Sequence, residues 1–263
     1  MKKILIHFIC SFLVLTTSVL AQDLNIKRME PGFHRMEVTH PDGTLQRYVI
    51  SIPENYDSST PTPMILGLHY GFNGMRGDNR PEPYWTEGFF NKIYKQAFEP
   101  LNAIFLAADS VSGNWQTPEN EKALNALWAA VNKTYNIDER KTIVTGYSMG
   151  AFGTWHWASK YQDRFAGAFP IAGMPADMNT YRDGVKLLDT DWKIPLYIMH
   201  SHVDGLIDIE PTVEYVKMLK EQGKDVTFHE LFVLTHHQEN LLPEPVGHAV
   251  PWIKKIWAKI DAE

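Results

Sequence analysis

From Pro63 onward the chain alternates short apolar runs with longer stretches of helical periodicity, and this alternation restricts its fold more than any other feature. PMILGLH, AIFLAAD, KTIVTGY, FAGAFPIAG, IPLYIMH and VTFHELFVL are apolar nearly throughout. Between them stand TEGFFNKIYKQAF, NEKALNALWAAVNKTY, AFGTWHWASKY and PTVEYVKMLKEQG, and PWIKKIWAKI closes the series. A strand that is apolar at successive positions is buried on both faces, which requires helices on both sides of a mainly parallel sheet. In such sheets ligands bind beyond the carboxyl ends of the strands. The search for chemistry therefore narrows to the residues that follow each apolar run.

Upstream of Pro63 the pattern differs. HRMEVTH and LQRYVISI alternate apolar and polar residues around Pro41-Asp42-Gly43. Gly43 can supply the positive φ of a tight turn, so this stretch reads as an antiparallel hairpin added to the sheet. No repeat, low-complexity tract or Gly/Ser linker follows. At 263 residues, 44% hydrophobic and 21% charged, the chain suits one large α/β domain over residues 22–263.

Residues 1–21 form a separate unit. MKKILIHFICSFLVLTTSVLAQ runs from two lysines through an apolar core to small residues before Gln22, the order of regions in a secretory signal peptide. Its unbroken apolar part is short for a hydrocarbon span of ~30 Å, so cleavage near Ala21-Gln22 is expected rather than anchoring. The expected product is secreted or periplasmic, without further membrane attachment. The single cysteine, Cys10, lies inside the leader, so the mature chain would hold no disulfide, and no cysteine marks a lipoprotein cleavage point. Loss of Lys2 and Lys3 moves the formal charge from -6 to -8, a balance that disfavours nucleic acid or anionic lipid as a partner. No zinc-spaced cysteine set is present, and no metal is expected.

Between the apolar run KTIVTGY and the helical run AFGTWHWASKY lies Gly146-Tyr147-Ser148-Met149-Gly150. A sharp strand-to-helix turn brings backbones together, and glycines two residues either side of Ser148 remove the side chains that would obstruct it. Such a turn lifts a serine hydroxyl above the sheet, with a helix N-terminus aimed at charge that develops beside it. The ordinary alternative is a serine that merely starts a helix. A serine nucleophile needs a base, and in this arrangement an acid and then a histidine should follow on later strand ends.

IPLYIMH is followed by SHVDGLID, which puts Asp204 four residues past the strand end as the acid. Asp208 competes, but its place before Ile209-Glu210-Pro211 suits a helix cap. His200 and His202 read as core packing and turn polarity. For the base, His236 lies two residues beyond the run VTFHELFVL, where rigid structure would position it. His248, in Gly247-His248 before the last helix, is the alternative. The first oxyanion donor would be the backbone N–H of Met149, and a second is expected from the loop His69-Tyr70-Gly71-Phe72-Asn73-Gly74.

Taken together, LHYGFNG, AADSVSGNW, YNIDERKTIVTGYSMGAFGTWH, FPIAGMP, IPLYIMHSHVDGLID and LTHHQENLLPEPVGHAVPWIKKIW resemble the α/β-hydrolase superfamily, and in particular secreted esterases and prolyl-oligopeptidase-like predicted peptidases without a propeller domain. The resemblance covers most of residues 22–263. It implies the α/β-hydrolase fold, maps the catalytic histidine to His236 and His248 to a helix-flanking position, and suggests the N–H of Tyr70 as the second oxyanion donor, with that of Gly71 as the neighbouring candidate. One departure is His237, where an aromatic is usual.

The expected activity is hydrolysis of carboxylic esters through a Ser148-His236-Asp204 triad and an acyl-enzyme, with neither metal nor organic cofactor. Short peptides are the alternative substrate, and a non-catalytic binding protein is the alternative of a different class. Among the 8 Trp and 11 Tyr, Tyr84, Trp85 and Trp115 follow strand ends and are expected to line a substrate cleft, whereas Trp155 and Trp157 are expected to pack. Segment 177–192 reads as an insertion that covers the site.

Overall fold

The computed structural model describes residues 24–71 and 84–263. The leader and its cleavage point, and residues 72–74 of the loop that begins at His69, lie outside the described residues. Eight strands form one sheet: β1 (Gly32–Thr39), β2 (Leu45–Ile52), β3 (Thr62–Leu68), β4 (Ile104–Ala108), β5 (Ile137–Tyr147), β6 (Gly167–Ile171), β7 (Leu196–Ser201) and β8 (Val226–Leu231). Their spatial order is β1-β2-β4-β3-β5-β6-β7-β8. β1 and β2 pair antiparallel, β2 joins β4 antiparallel, and every pairing from β4 through β8 is parallel.

Helices cover both faces. α1 (Trp85–Phe89) continues through a π-helical turn at Phe90–Tyr94 into α2 (Lys95–Phe98), and α6 (Pro243–Gly247) and α7 (Val250–Asp261) pack with them. The other face carries α3 (Pro118–Thr134), α4 (Met149–Lys160) and α5 (Glu210–Glu221). Along β3, Met64, Leu66 and Leu68 enter the core beneath α3 and α4, while Ile65 enters the core with Phe89, Phe90 and Tyr94. This two-sided burial is the physical reason the central strands show no polar alternation. Trp155 and Trp157 of α4 are fully buried, as their helix positions predict.

Two boundaries depart from the sequence reading. β5 begins at Ile137 rather than Lys141. β8 ends at Leu231, so Phe232, Val233 and Leu234 are off the sheet and His236 stands five residues beyond the strand. Phe232 stacks instead on His202, ring centroids 4.6 Å apart. No helix among the described residues is long and apolar enough to cross a membrane.

Candidate active site

The chain adds β4 on one side of β3 and β5 on the other, so the winding direction reverses at the crevice between β3 and β5. Leu68 and Gly146 are paired at the carboxyl ends of these two strands. His69-Tyr70-Gly71 and Ser148 therefore emerge side by side, at the place where open α/β sheets bind ligands.

Ser148 joins β5 to α4 with φ 56° and ψ -118°, a conformation that a non-glycine residue holds only under strain, at about 1–3 kcal/mol. Surrounding backbone enforces it. The Ser148 amide donates to Ile171 O of β6 at 2.9 Å, and the Ser148 carbonyl accepts from Ala151 N at 2.8 Å. A Cβ at Gly146 would lie 2.2 Å from Gly150 O, and one at Gly150 only 1.8 Å from Leu68 O, so both flanking positions exclude any side chain. Ser148 keeps partial exposure while Tyr147 and Met149 are buried.

The hydroxyl meets His236, whose Nε2 is 2.8 Å from Ser148 Oγ. On its other side His236 Nδ1 lies 2.7 Å from Asp204 Oδ2. Carboxylates only accept, so Nδ1 carries the proton and Nε2 is left to accept from the serine hydroxyl. Asp204 is itself saturated: Oδ1 accepts from the Leu206 and Ile207 amides, each at 2.9 Å, and Oδ2 has a second imidazole, His200 Nε2, at 3.5 Å. The side chains of Asp204 and His236 are 1% and 5% exposed. Burial alone would raise the Asp204 pKa. The bonds from His200, His236 and the Ile207 amide, with the His236 charge, outweigh it and hold the carboxyl well below the usual carboxylate range.

Two residues that carried no functional reading in the sequence support this arrangement. Tyr147 stacks on the His236 ring at 5.2 Å and its phenol donates to the His236 carbonyl, which ties His236 to the strand that carries Ser148. His200, read as packing, is buried against Asp204, with Nδ1 3.3 Å from Thr212 Oγ1. In sequence, Tyr147 is indistinguishable from any apolar strand residue, and His200 from a polar residue at a strand end.

The remaining histidines lie elsewhere. His248 is 53% exposed at its side chain, pairs with Glu244 at 3.0 Å and stacks on His229. His237 stands edge-on to His236 at 5.6 Å, and His202 pairs with Glu230 at 2.7 Å. Asp208 accepts from the Glu210 amide at 3.1 Å and caps α5.

Met149 is the first residue of α4, so its N–H has no acceptor within the helix. Tyr70 follows β3 with its ring edge-on to Tyr147 at 6.1 Å. Burial raises its phenol pKa, opposed by the adjacent Lys92 ammonium, which also reaches Glu239 at 3.3 Å. His69 Nδ1 donates to Tyr70 O at 2.7 Å, and its Nε2 accepts from Ser110 N at 3.0 Å, so a buried imidazole braces this loop.

Trp115 does not line a cleft. It is fully buried, edge-on to His69, with its ring over Gly153 and its Nε1 donating to His69 O at 2.9 Å. The space above Gly153 and a buried acceptor draw the indole inward. Trp85 opens α1 and is partly buried, beside Thr86, whose amide donates to Asp109 at 3.0 Å. Tyr84 lies against Arg47 and Glu37. Segment 177–192 packs beside α4 through Tyr181 on Phe152, and its Asn179 accepts from Asn114 at 2.8 Å. Among the described residues no group of three or more His, Cys, Asp or Glu is placed to hold a metal ion.

A mainly parallel eight-stranded sheet with this strand order, opened at the β3/β5 crevice by a strained serine turn, is the α/β-hydrolase fold. The phospholipase/carboxylesterase family model matches residues 116–242, a stretch that includes Ser148, Asp204 and His236. Among curated proteins, the chain is similar to a probable feruloyl esterase C of Aspergillus terreus, 26% identical over 133 residues, which are 49% of this chain and 46% of that protein. It is also similar to a probable acetylxylan esterase A of Aspergillus flavus, 29% identical over 131 residues, 48% of this chain and 41% of the relative. The match thus spans less than half the length of either relative. A solved ferulic acid esterase superposes with a TM-score of 0.66 at 12% identity, covering 87% of this chain and 100% of that one.

Proposed function

We propose that this protein is a serine esterase that hydrolyses carboxylic esters of the kind its relatives are named for, feruloyl esters and acetylated xylan. The observation that carries the reading is the continuous hydrogen-bonded line from Ser148 Oγ through His236 to Asp204, begun on a strained turn.

In this reading His236 Nε2 takes the Ser148 proton as Oγ attacks the ester carbonyl carbon. The imidazolium so formed is balanced by Asp204, which is already ionised and needs no reorganisation. The N–H groups of Met149 and Tyr70 receive the oxyanion. Collapse of the tetrahedral species breaks the bond to the alcohol, which leaves with the proton from His236. Water then attacks the acyl-enzyme with the same base, releases the acid and restores Ser148. These steps call for side-chain and backbone groups alone. Trp85, at the start of α1, is assigned to the substrate side of the cleft. Residues 1–21 are assigned as a cleaved leader, so the working enzyme is secreted or periplasmic and begins near Gln22.

An ester series that includes feruloyl and acetyl substrates, run beside a short-peptide series, tests the reaction class, with fluorophosphonate labelling as an activity-independent readout. Ser148→Ala should lose at least ~10³-fold in kcat and all labelling, with little change in thermal stability. Cleavage of peptides in preference to esters would make it a peptidase, and a parent protein that takes no label would make it a binding protein.

A further inference from the structure

Trp115 was expected to touch substrate, and its buried position poses the question of what an indole donates to there. The acceptor is the carbonyl of His69. That carbonyl belongs to the same peptide unit as the N–H of Tyr70. A trans peptide is planar, with its C=O and N–H pointing in opposite directions. Whatever holds the oxygen therefore aims the hydrogen.

The oxygen is held from below. A Cβ built on Gly150 would be 3.0 Å from His69 O, so this carbonyl lies close against the N-terminal turn of α4. Trp115 is itself fixed to the same helix twice. Its ring lies so close to Gly153 that a Cβ there would be 2.8 Å from Trp115 Cγ, and its carbonyl accepts from Trp157 Nε1 at 3.3 Å. The chain of contacts runs from α4 through Trp157 to Trp115 and on to the His69-Tyr70 peptide. α4 also presents, as its first residue, the N–H of Met149.

We propose that Trp115 is a positioning residue for the oxyanion hole: its indole N–H fixes the His69-Tyr70 peptide, and the Trp157-Trp115 pair sets the spacing between the Tyr70 and Met149 donors. The proposal rests on the esterase reading above. It departs from a merely structural role because such donors act on charge that exists in the transition state and only weakly on the bound ester. Loss of the indole N–H should then lower kcat and leave KM alone.

The test replaces Trp115 in the full chain with phenylalanine, Trp115→Phe, and separately with the isosteric analogue benzothienylalanine, which lacks only the N–H. Complete loss of an oxyanion donor costs ~10²–10³-fold in kcat, and a donor left in place but misaimed should cost about tenfold. Both variants should show that fall in kcat, KM within about twofold, and an equal fall in affinity for a boronic acid that forms a tetrahedral adduct. The pH profile should be unmoved, since His236 and Asp204 are untouched. Benzothienylalanine keeps the shape of the indole, so a packing defect in Trp115→Phe does not excuse it. Parent kinetics and parent boronate affinity in that analogue would overturn the proposal, as would a rise in KM at constant kcat, the mark of a substrate wall. Fluorophosphonate labelling of the parent separates the two claims: a parent that takes no label refutes the esterase reading, whereas a labelled, active parent with an indifferent Trp115 refutes only this one.

Discussion

Ser148 stands on a turn held by backbone: its amide bonds to β6, its carbonyl starts α4, and neither flanking glycine leaves room for a side chain. His236 stands on loop 232–242, and most of what fixes it comes from side chains on other elements. Tyr147 of β5 holds its carbonyl, Asp204 its Nδ1, and Lys92 reaches the same loop through Glu239. A short-range backbone constraint leaves a mark within five residues of sequence. A long-range side-chain constraint leaves almost none, because a tyrosine 89 positions away in the chain looks like any other strand residue.

The largest effect is expected at His236. His236→Ala should fall to about the level of Ser148→Ala, at least ~10³-fold below the parent, and the double variant should be little worse because the residues of a triad act as a unit. His248→Ala should stay within about twofold, as its side chain is exposed and paired only with Glu244 and His229. Reversed outcomes in kcat/KM would move the base to the other loop.

A smaller effect measures how far His236 depends on side-chain tethering. Tyr147→Phe keeps the ring stacked on His236 and removes only the phenol that donates to the His236 carbonyl. One such buried bond contributes about 1–1.5 kcal/mol, so kcat should drop about tenfold at nearly constant KM. Parent kinetics in Tyr147→Phe would show that the loop holds itself.

The smallest effect concerns stability. Asp204 has its pKa lowered in the folded chain, so it contributes stability that is fully present above the ordinary carboxylate value of about 4 and is lost as pH falls toward the folded value. Thermal melts of the parent should therefore decline more steeply between about pH 5 and about pH 3 than those of Asp204→Asn. Parallel curves would mean that the carboxylate is not held as its four hydrogen-bond partners require.

How much of this was readable beforehand follows from the same contrast. The alternation of apolar and helical runs specifies a doubly covered sheet, since period and burial are local properties of each segment. Gly146 and Gly150 mark the serine turn because only steric exclusion calls for glycine at both places. The order of strand ends points to Asp204 and His236, which lie within hydrogen-bond reach of one another, with Ser148 on the other side of His236. β8 ends three residues before the apolar run does, because Phe232 and Val233 are apolar yet exposed, and apolar residues off the sheet mimic a continuing strand. The loop position of Trp115 points to the cleft. Its inward turn depends on Gly153 and on the carbonyl of His69, 38 and 46 residues distant, which no reading of its neighbours supplies. α6 went unread because PEPVG, with two prolines in five residues, has no helical periodicity to recognise.

Among the described residues β8 forms one border of the sheet, beside β7, and most of its residues are partly open to solvent. Border strands are the first to fray, and local opening there costs less than global unfolding. His236 follows β8 in the chain but takes its bearings from β5, through Tyr147, and from the loop after β7, through Asp204. A transient peeling of β8 can therefore relax before it reaches the imidazole, much as a hinge pin isolates a door from the sag of its frame. Amide exchange would register the motion along Val226–Leu231 while the distance from Nε2 to the serine hydroxyl kept its value.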